Sequence, residues 1–228
     1  RGVPTQVDPE TGSYATSVDD RNHFRSTASH NVVTVDGRSS STEAGPFQWE
    51  SIAKARVEGW AATPLVDYFE GSHNGYHVLP DPVTVRRAVL FVHGRYWVVR
   101  DEIEANGEHE IMVSFQAAEG ITIEATPTGG MVCQRDGVPI LAVFDVISPE
   151  NSTVTVEAGR VAPMYGRVVD APVLRYRARI RGSAEFLTLL VPGDGAGLSV
   201  RDLGQGVLEV DGPLGRDLVR LGRQGPWE

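Results

Sequence analysis

Short runs of alternating apolar and polar residues recur along this chain, and most are closed by Gly, Asp-Gly or Asn-Gly turn signals. The sharpest are Val83–Val92 (VTVRRAVLFV) and Tyr96–Glu104 (YWVVRDEIE), joined by His93-Gly94-Arg95 in a hairpin pattern. Upstream, Val32–Val35 is β-branched throughout and ends at Asp36-Gly37, a dipeptide suited to a tight turn. Strands are also predicted over Glu50–Trp60 and Leu65–Glu70, followed by a loop from Gly71 to His77. Downstream the predicted strands are His109–Ala117, Ile121–Ala125, Met131–Arg135, Pro139–Ile147 and Thr153–Glu157. Val173–Ile180, Ala184–Val191, Leu198–Asp202, Val207–Asp211 and Asp217–Leu221 complete the series. No 3.6-residue period runs far enough to predict a helix. Many short strands at regular spacing predict an all-β fold with little helix, a large antiparallel two-sheet sandwich. Residues 1–23, rich in Asp, Gly, Ser and Thr, read as a polar arm, and residues 24–228 as one domain.

Composition narrows the function classes. A net charge of −9 over 228 residues argues against nucleic-acid binding, which needs a basic surface. An acidic polysaccharide stays open, because a local arginine cluster binds anions on an acidic protein. Lys54 is the one lysine, and the planar fork of arginine suits carboxylates and sulfates. Cys133 has no partner for an internal disulfide. No apolar run reaches the ~20 residues of a membrane span, and no signal peptide is recognisable. The start at Arg-Gly-Val suggests a piece of a longer protein.

Candidate chemistry centres on His30-Asn31, which stand at the entrance of the Val32–Val35 strand, where loops carry function on a rigid scaffold. An imidazole there serves a metal, a proton or a sugar; the plainer alternative is that it caps the strand by bonding a nearby carbonyl. His73 and His77 are four apart, but Gly75 between them and Pro80 beyond argue against the helix that would make this a zinc spacing. His30 and His73 can still converge in space, with Glu43 or Glu50 completing a metal site. Tyr68 and Tyr76 are read as rim residues or stacking platforms. Arg86 and Arg87 face opposite sides of one strand, with Asp101 and Glu102 as natural partners. There is no G-x-S-x-G elbow.

The run FRSTASHNVVTVDGR (Phe24–Arg38), with FEGSHNGYHVLPDPVTVRRAVLFVHGRYWVVRDEIEANGEHE (Phe69–Glu110) downstream, resembles the C-terminal domain of the heparinase II/III-like polysaccharide lyases. The resemblance implies a β-sandwich that follows an α/α-toroid and cleaves uronate-containing chains by β-elimination, with heparan sulfate and alginate among the candidate polymers. It implies catalytic roles for His30 and Asn31, and substrate contacts from Arg25, Tyr68, Tyr76 and Arg86. It further implies a structural zinc held by His30, His73 and Glu43, with no organic cofactor. Gln116 stands where relatives often carry a further histidine. The expected partners are an acidic polysaccharide, the toroid and a second copy in a homodimer, in the periplasm or secreted. Without the toroid, the chain is expected to be inactive. The alternative is a non-catalytic carbohydrate-binding or structural module, using Trp49 and Trp60 as further stacking surfaces.

Overall fold

The hairpin marked most sharply by alternation forms at its predicted bounds in a computed structural model of the protein, described over residues 2, 4–13, 17–45, 47–127 and 129–221. In chain order the elements are helix α1 (Val18–Arg25), a 3-10 turn (Thr27–Ser29), β1 (Val33–Val35), β2 (Thr42–Gly45), β3 (Gln48–Ser51) and β4 (Ala55–Ala62). Next come β5 (Val66–Tyr76), β6 (Val83–Val92), β7 (Tyr96–Glu104), β8 (Glu108–Gln116), β9 (Thr122–Ala125) and β10 (Met131–Arg135). The rest are β11 (Val138–Ile147), β12 (Thr153–Met164), β13 (Arg167–Arg181), β14 (Ala184–Pro192), β15 (Ser199–Asp202), β16 (Val207–Gly212) and β17 (Gly215–Arg220).

An eight-stranded antiparallel sheet in the order β4-β5-β6-β7-β14-β11-β10-β9 forms the middle layer. Alternate residues of its strands feed two cores. Val99 and Ile103 of β7 pack against Ile111, Val113 and Tyr176 of the four-stranded sheet β1-β8-β13-β12. Tyr96 and Val98, on the opposite face of β7, pack against Leu208, Val210 and Val219 of the three-stranded sheet β15-β16-β17. The all-β sandwich is therefore present, with a third small sheet laid over one face of the large one. Asp217 ties that third layer down, accepting hydrogen bonds from the Tyr96 hydroxyl at 2.7 Å and from Arg95 at 2.6 Å.

Some elements depart from the sequence reading. Residues 18–25, assigned to an arm and a loop, form a helix. Ser17 caps it by accepting the Asp20 N–H at 3.1 Å, and Asp19 and Asp20 lie in the first turn, where the helix dipole favours negative charge. The segment predicted as one strand from Glu50 splits into β3 and β4. The predicted loop from Gly71 continues β5 as far as Tyr76, paired with β6 through His73↔Val85, with the register shifting only beyond His73. The turn at Asp36-Gly37 forms as expected, with φ of 51° and 65°, the left-handed pair a tight hairpin turn requires.

One buried charge cluster pins the end of the sandwich where β1, β6 and β8 meet their turns. His109, 4% exposed, bonds Asp36 through Nδ1 and Asp81 through Nε2, both at 2.8 Å. Burial opposes charge on this ring, but the two carboxylates outweigh it and raise its pKa. Asp81 is lowered in turn, by the His109 bond first and the Gly107 N–H second. A raised histidine contributes stability that is complete below its unfolded value of about 6.5 and is lost as pH rises through the folded value. The Asp81 share runs the other way, and disappears as pH falls below the carboxylate range. The stability gap between parent and His109→Gln is therefore expected to narrow as pH is raised above neutrality. Thermal melts of both proteins across that range check this, and a gap that stays constant shows the ring to be uncharged in the fold.

Candidate functional site

The polar turn before β1 is held from three directions. From α1, the Ser26 and Ser29 hydroxyls both donate to the His23 carbonyl, at 2.8 and 2.6 Å. From the segment after β1, the Thr27 N–H donates to Ser39 Oγ at 3.2 Å and the Ser40 N–H to Thr27 Oγ1 at 2.9 Å. From the N-terminal arm, Asp8 bonds the His30 ring. Gly75 lets β5 approach Ser40 closely, since a Cβ there would lie 2.5 Å from the Ser40 carbonyl oxygen. The His30 turn and the His73 strand are thus locked to one another through residues 39–40.

His30 is partly open, its side chain 30% exposed. Nδ1 meets Asp8 Oδ1 at 2.7 Å and Nε2 meets the Phe24 carbonyl at 3.0 Å. Both partners carry acceptor oxygens, so each ring nitrogen faces an oxygen. The carbonyl contact is the plainer role anticipated for this histidine; the Asp8 contact adds a charge partner that no local pattern reveals.

Asn31 is a clamp. Its Nδ2 donates to the Val7 carbonyl at 2.8 Å, and its Oδ1 accepts the Gln116 N–H at 2.5 Å. The Asn31 carbonyl accepts from Arg87, whose guanidinium also grips Asp101 through Nε at 2.6 Å and Nη2 at 2.8 Å. Asp101 is 2% exposed, so a buried carboxylate holds the partly exposed Arg87 guanidinium, which ties the His30-Asn31 turn to the large sheet. Gln116 is buried and donates Nε2–H to the Ala117 and Pro172 carbonyls, both at 3.0 Å.

A cavity of about 290 Å³ opens beside this pair, walled by Val32 and Val33 on one side and by Val57, Phe69 and His73 on the other. His73 is lowered in pKa by burial and, second, by His77, so its ring is neutral. Its Nδ1 accepts the Gly75 N–H at 3.2 Å, which leaves the proton on Nε2 and makes that nitrogen a donor. The two histidine segments meet at this cavity, although the His30 ring is engaged with Asp8 and Phe24 instead of lining it.

The other expected site residues lie elsewhere. Arg25 donates to the Gly45 carbonyl at 2.8 Å and stacks over Trp49 at 4.2 Å, joining α1 to the β2–β3 hairpin. Arg86 sits on the opposite face of β6 from Arg87, donating to Glu70 at 3.2 Å with Glu102 at 3.7 Å. Asp101 and Glu102 are thus the partners of Arg87 and Arg86, as their alternation suggested. The stacking role does not fit Tyr76, which is 1% exposed and shares its hydroxyl proton between the Val33 and Arg38 carbonyls, each at 3.2 Å. Burial pushes its pKa up to about 12. Tyr68, 4% exposed, donates to Glu70 at 2.8 Å, and burial followed by that carboxylate raises it strongly. Both rings fill core positions, Tyr68 in the second core and Tyr76 in the first, on opposite faces of the large sheet, because the register of β5 shifts between His73 and Tyr76.

Glu43 pairs with Trp49 across the β2–β3 hairpin. His30, His73 and Glu43 do not form a common donor set. Among the described residues no three His, Cys, Asp or Glu side chains are grouped to hold an ion. Among the described residues no helix is long and apolar enough to cross a membrane.

The architecture and sequence both have known counterparts. The model for the family described as heparinase II/III-like, C-terminal, matches residues 2–195, which leaves β15–β17 beyond the match. Heparan sulfate lyase HepC from Pedobacter heparinus superposes with a TM-score of 0.75 at 20% identity, covering 98% of this chain and 35% of its own. A heparinase III, the BT4657 gene product, gives 0.74 at 17% identity, covering 94% of this chain and 34% of its own. At these identities the likeness establishes the fold, and the chain spans about a third of the length of either protein. No curated protein sequence matches. Because the family model covers most of its residues, this chain belongs to the heparinase II/III-like family, as its C-terminal domain.

Proposed function

We propose that this chain is the sandwich part of a polysaccharide lyase, which cleaves uronate-containing chains by β-elimination together with an α/α-toroid that precedes it. The observation that carries this reading is the Asp8–His30 pair, a partly open imidazole oriented by a carboxylate at the sandwich rim, within the residues that the family model matches.

β-Elimination needs the uronate carboxylate neutralised, the C5 proton removed and the departing glycosidic oxygen protonated. The resemblance puts the main base and the neutralising group mostly on the toroid. On this domain, Asp8 fixes the His30 ring with its Nε2–H aimed at an oxygen. A substrate oxygen taking the place of the Phe24 carbonyl receives that N–H without the ring turning. The donor then serves the uronate carboxylate or the leaving oxygen, where charge develops. Asn31, its side chain already spent on Val7 and Gln116, acts by positioning the turn. The neutral His73 ring, which lines the neighbouring cavity, keeps its proton on Nε2 and offers a second donor there. A polymeric substrate that does not enter cells places the enzyme in the periplasm or outside the cell.

The test compares this domain with the full-length polypeptide, using heparan sulfate first and alginate second. The full-length protein is expected to generate the absorbance of the unsaturated uronate, and the isolated domain to generate none. Cleavage by the domain alone overturns the division of labour. Glycan binding without cleavage by the full-length protein favours a non-catalytic binding module.

A further inference from the structure

Exposed apolar side chains are concentrated on one flank of this sandwich. Phe47, Trp49, Ile52, Val57 and Trp60 are all exposed, within fourteen consecutive residues, and Phe69 follows. Phe47 and Trp49, at the β2–β3 hairpin, each carry a guanidinium over the ring, from Arg21 and Arg25, both 4.2 Å from the ring centroid. Trp60 of β4 lies opposite Phe69 of β5, with ring centroids 6.3 Å apart, and Val57 lies opposite Gly71. In register with Gly71 and Phe69 stand Arg87 and Val89, and beyond them Asp101 and Val99. This is the face of the large sheet that elsewhere builds the first core. Val99 belongs to that core, whereas β4 contributes nothing to it. The apolar face thus continues past β1, the edge of the covering sheet, onto β4 and β5, over which no described strand lies on that side. Glu58, next to Val57, bonds Ser72 at 2.6 Å, on the face that carries Arg86. A contiguous apolar surface on an edge strand marks an interface.

We infer that this flank, from the β2–β3 hairpin to β5, is the seat of the part of the same polypeptide that precedes this domain, docked through an apolar face of its own. The inference rests on the reading of this chain as one piece of a longer lyase. Two observations select this occupant. The chain accounts for 35% of the length of HepC, which leaves a body larger than this domain to be placed. The flank also runs directly into the His30 turn, through Arg25 on the Gly45 and Gln48 carbonyls and Thr27 on Ser39 and Ser40. A body that completes a cleft at His30 lies against this flank.

The experiment is hydroxyl-radical footprinting of the full-length protein at low concentration, read residue by residue by mass spectrometry. Trp60 and Phe47 are compared with Tyr165, which in this domain is similarly exposed, at 66% against 71% and 74%. The expected result is labelling of Trp60 and Phe47 several-fold below that of Tyr165, unchanged on dilution and without added polysaccharide. Labelling equal to that of Tyr165 overturns the inference. Protection that appears only at high concentration overturns it in favour of a second copy. Protection that appears only with heparan sulfate oligosaccharide overturns it in favour of a saccharide platform. Lyase activity measured on the same sample separates the two readings. Activity with Trp60 labelled sinks the docking alone, and protection of Trp60 without activity sinks the lyase reading alone.

Discussion

Replacing His30 by alanine in the full-length protein is expected to slow unsaturated-uronate formation by about 10²–10⁴-fold, the usual yield of a positioned proton donor or acceptor. The fold should survive. The ring is partly exposed, and the partners it leaves behind are Asp8, with a side chain 53% exposed, and one backbone carbonyl. Loss of activity with an unchanged melting temperature therefore separates chemistry from packing. Asp8→Asn keeps the ring but replaces the charge that orients it, so a smaller loss is expected. Glutamine at position 30 restores one donor and should recover part of the rate. If His30→Ala retains nearly full turnover, the histidine merely caps the turn through the Phe24 carbonyl, and the chemistry lies entirely outside this domain.

The second large effect falls on stability. Arg87→Met leaves the Asp101 carboxylate, 2% exposed, without its counter-charge inside the fold. Removing one partner of a buried pair costs about 3–5 kcal/mol, because the remaining charge is neither solvated nor paired. For a domain of this size that corresponds to a fall in Tm of about 6–20 °C. Arg87 also holds the Asn31 carbonyl, so activity of the full-length protein should fall further than the melting temperature alone explains. The double variant Arg87→Met/Asp101→Leu removes both charges and should regain most of the stability while leaving the His30 turn untethered. Calorimetry on the three proteins decides it. A loss below about 1 kcal/mol in the single variant, the size expected of an exposed pair, would show that the pair is open to water.

Legibility varied with the range of the interactions involved. β6 and β7 were predicted to the residue because alternation, β-branched content and a glycine turn at Gly94 all agree, and Gly94 takes the left-handed φ of 71° such a turn uses. Helix α1 escaped because eight residues give too little periodicity, though Ser17 followed by Asp20 carries the N-terminal signature. The stretch Gly71–Gly75 looks like a loop on composition, yet it is strand. Its glycines make room for neighbours, since a Cβ at Gly71 would lie 3.0 Å from the Phe69 ring. At the site, motif order singled out His30 and His73. The same motifs also suggested Tyr68, Tyr76 and Glu43, whose placements in core strands and in the hairpin depend on burial and register.

Period-two alternation is a local property, since each side chain's face follows from its neighbours along one strand. The amino-acid order alone was therefore enough to establish an all-β chain with a histidine at the mouth of a strand. Which strands become neighbours is not local. β14 inserts between β7 and β11, and Asp8, Phe24, Arg87 and Gln116 reach the His30-Asn31 turn from as far as 85 residues away. Those contacts depend on sheet order and on the stacking of one sheet over another, a long-range packing outcome that no short window of residues encodes.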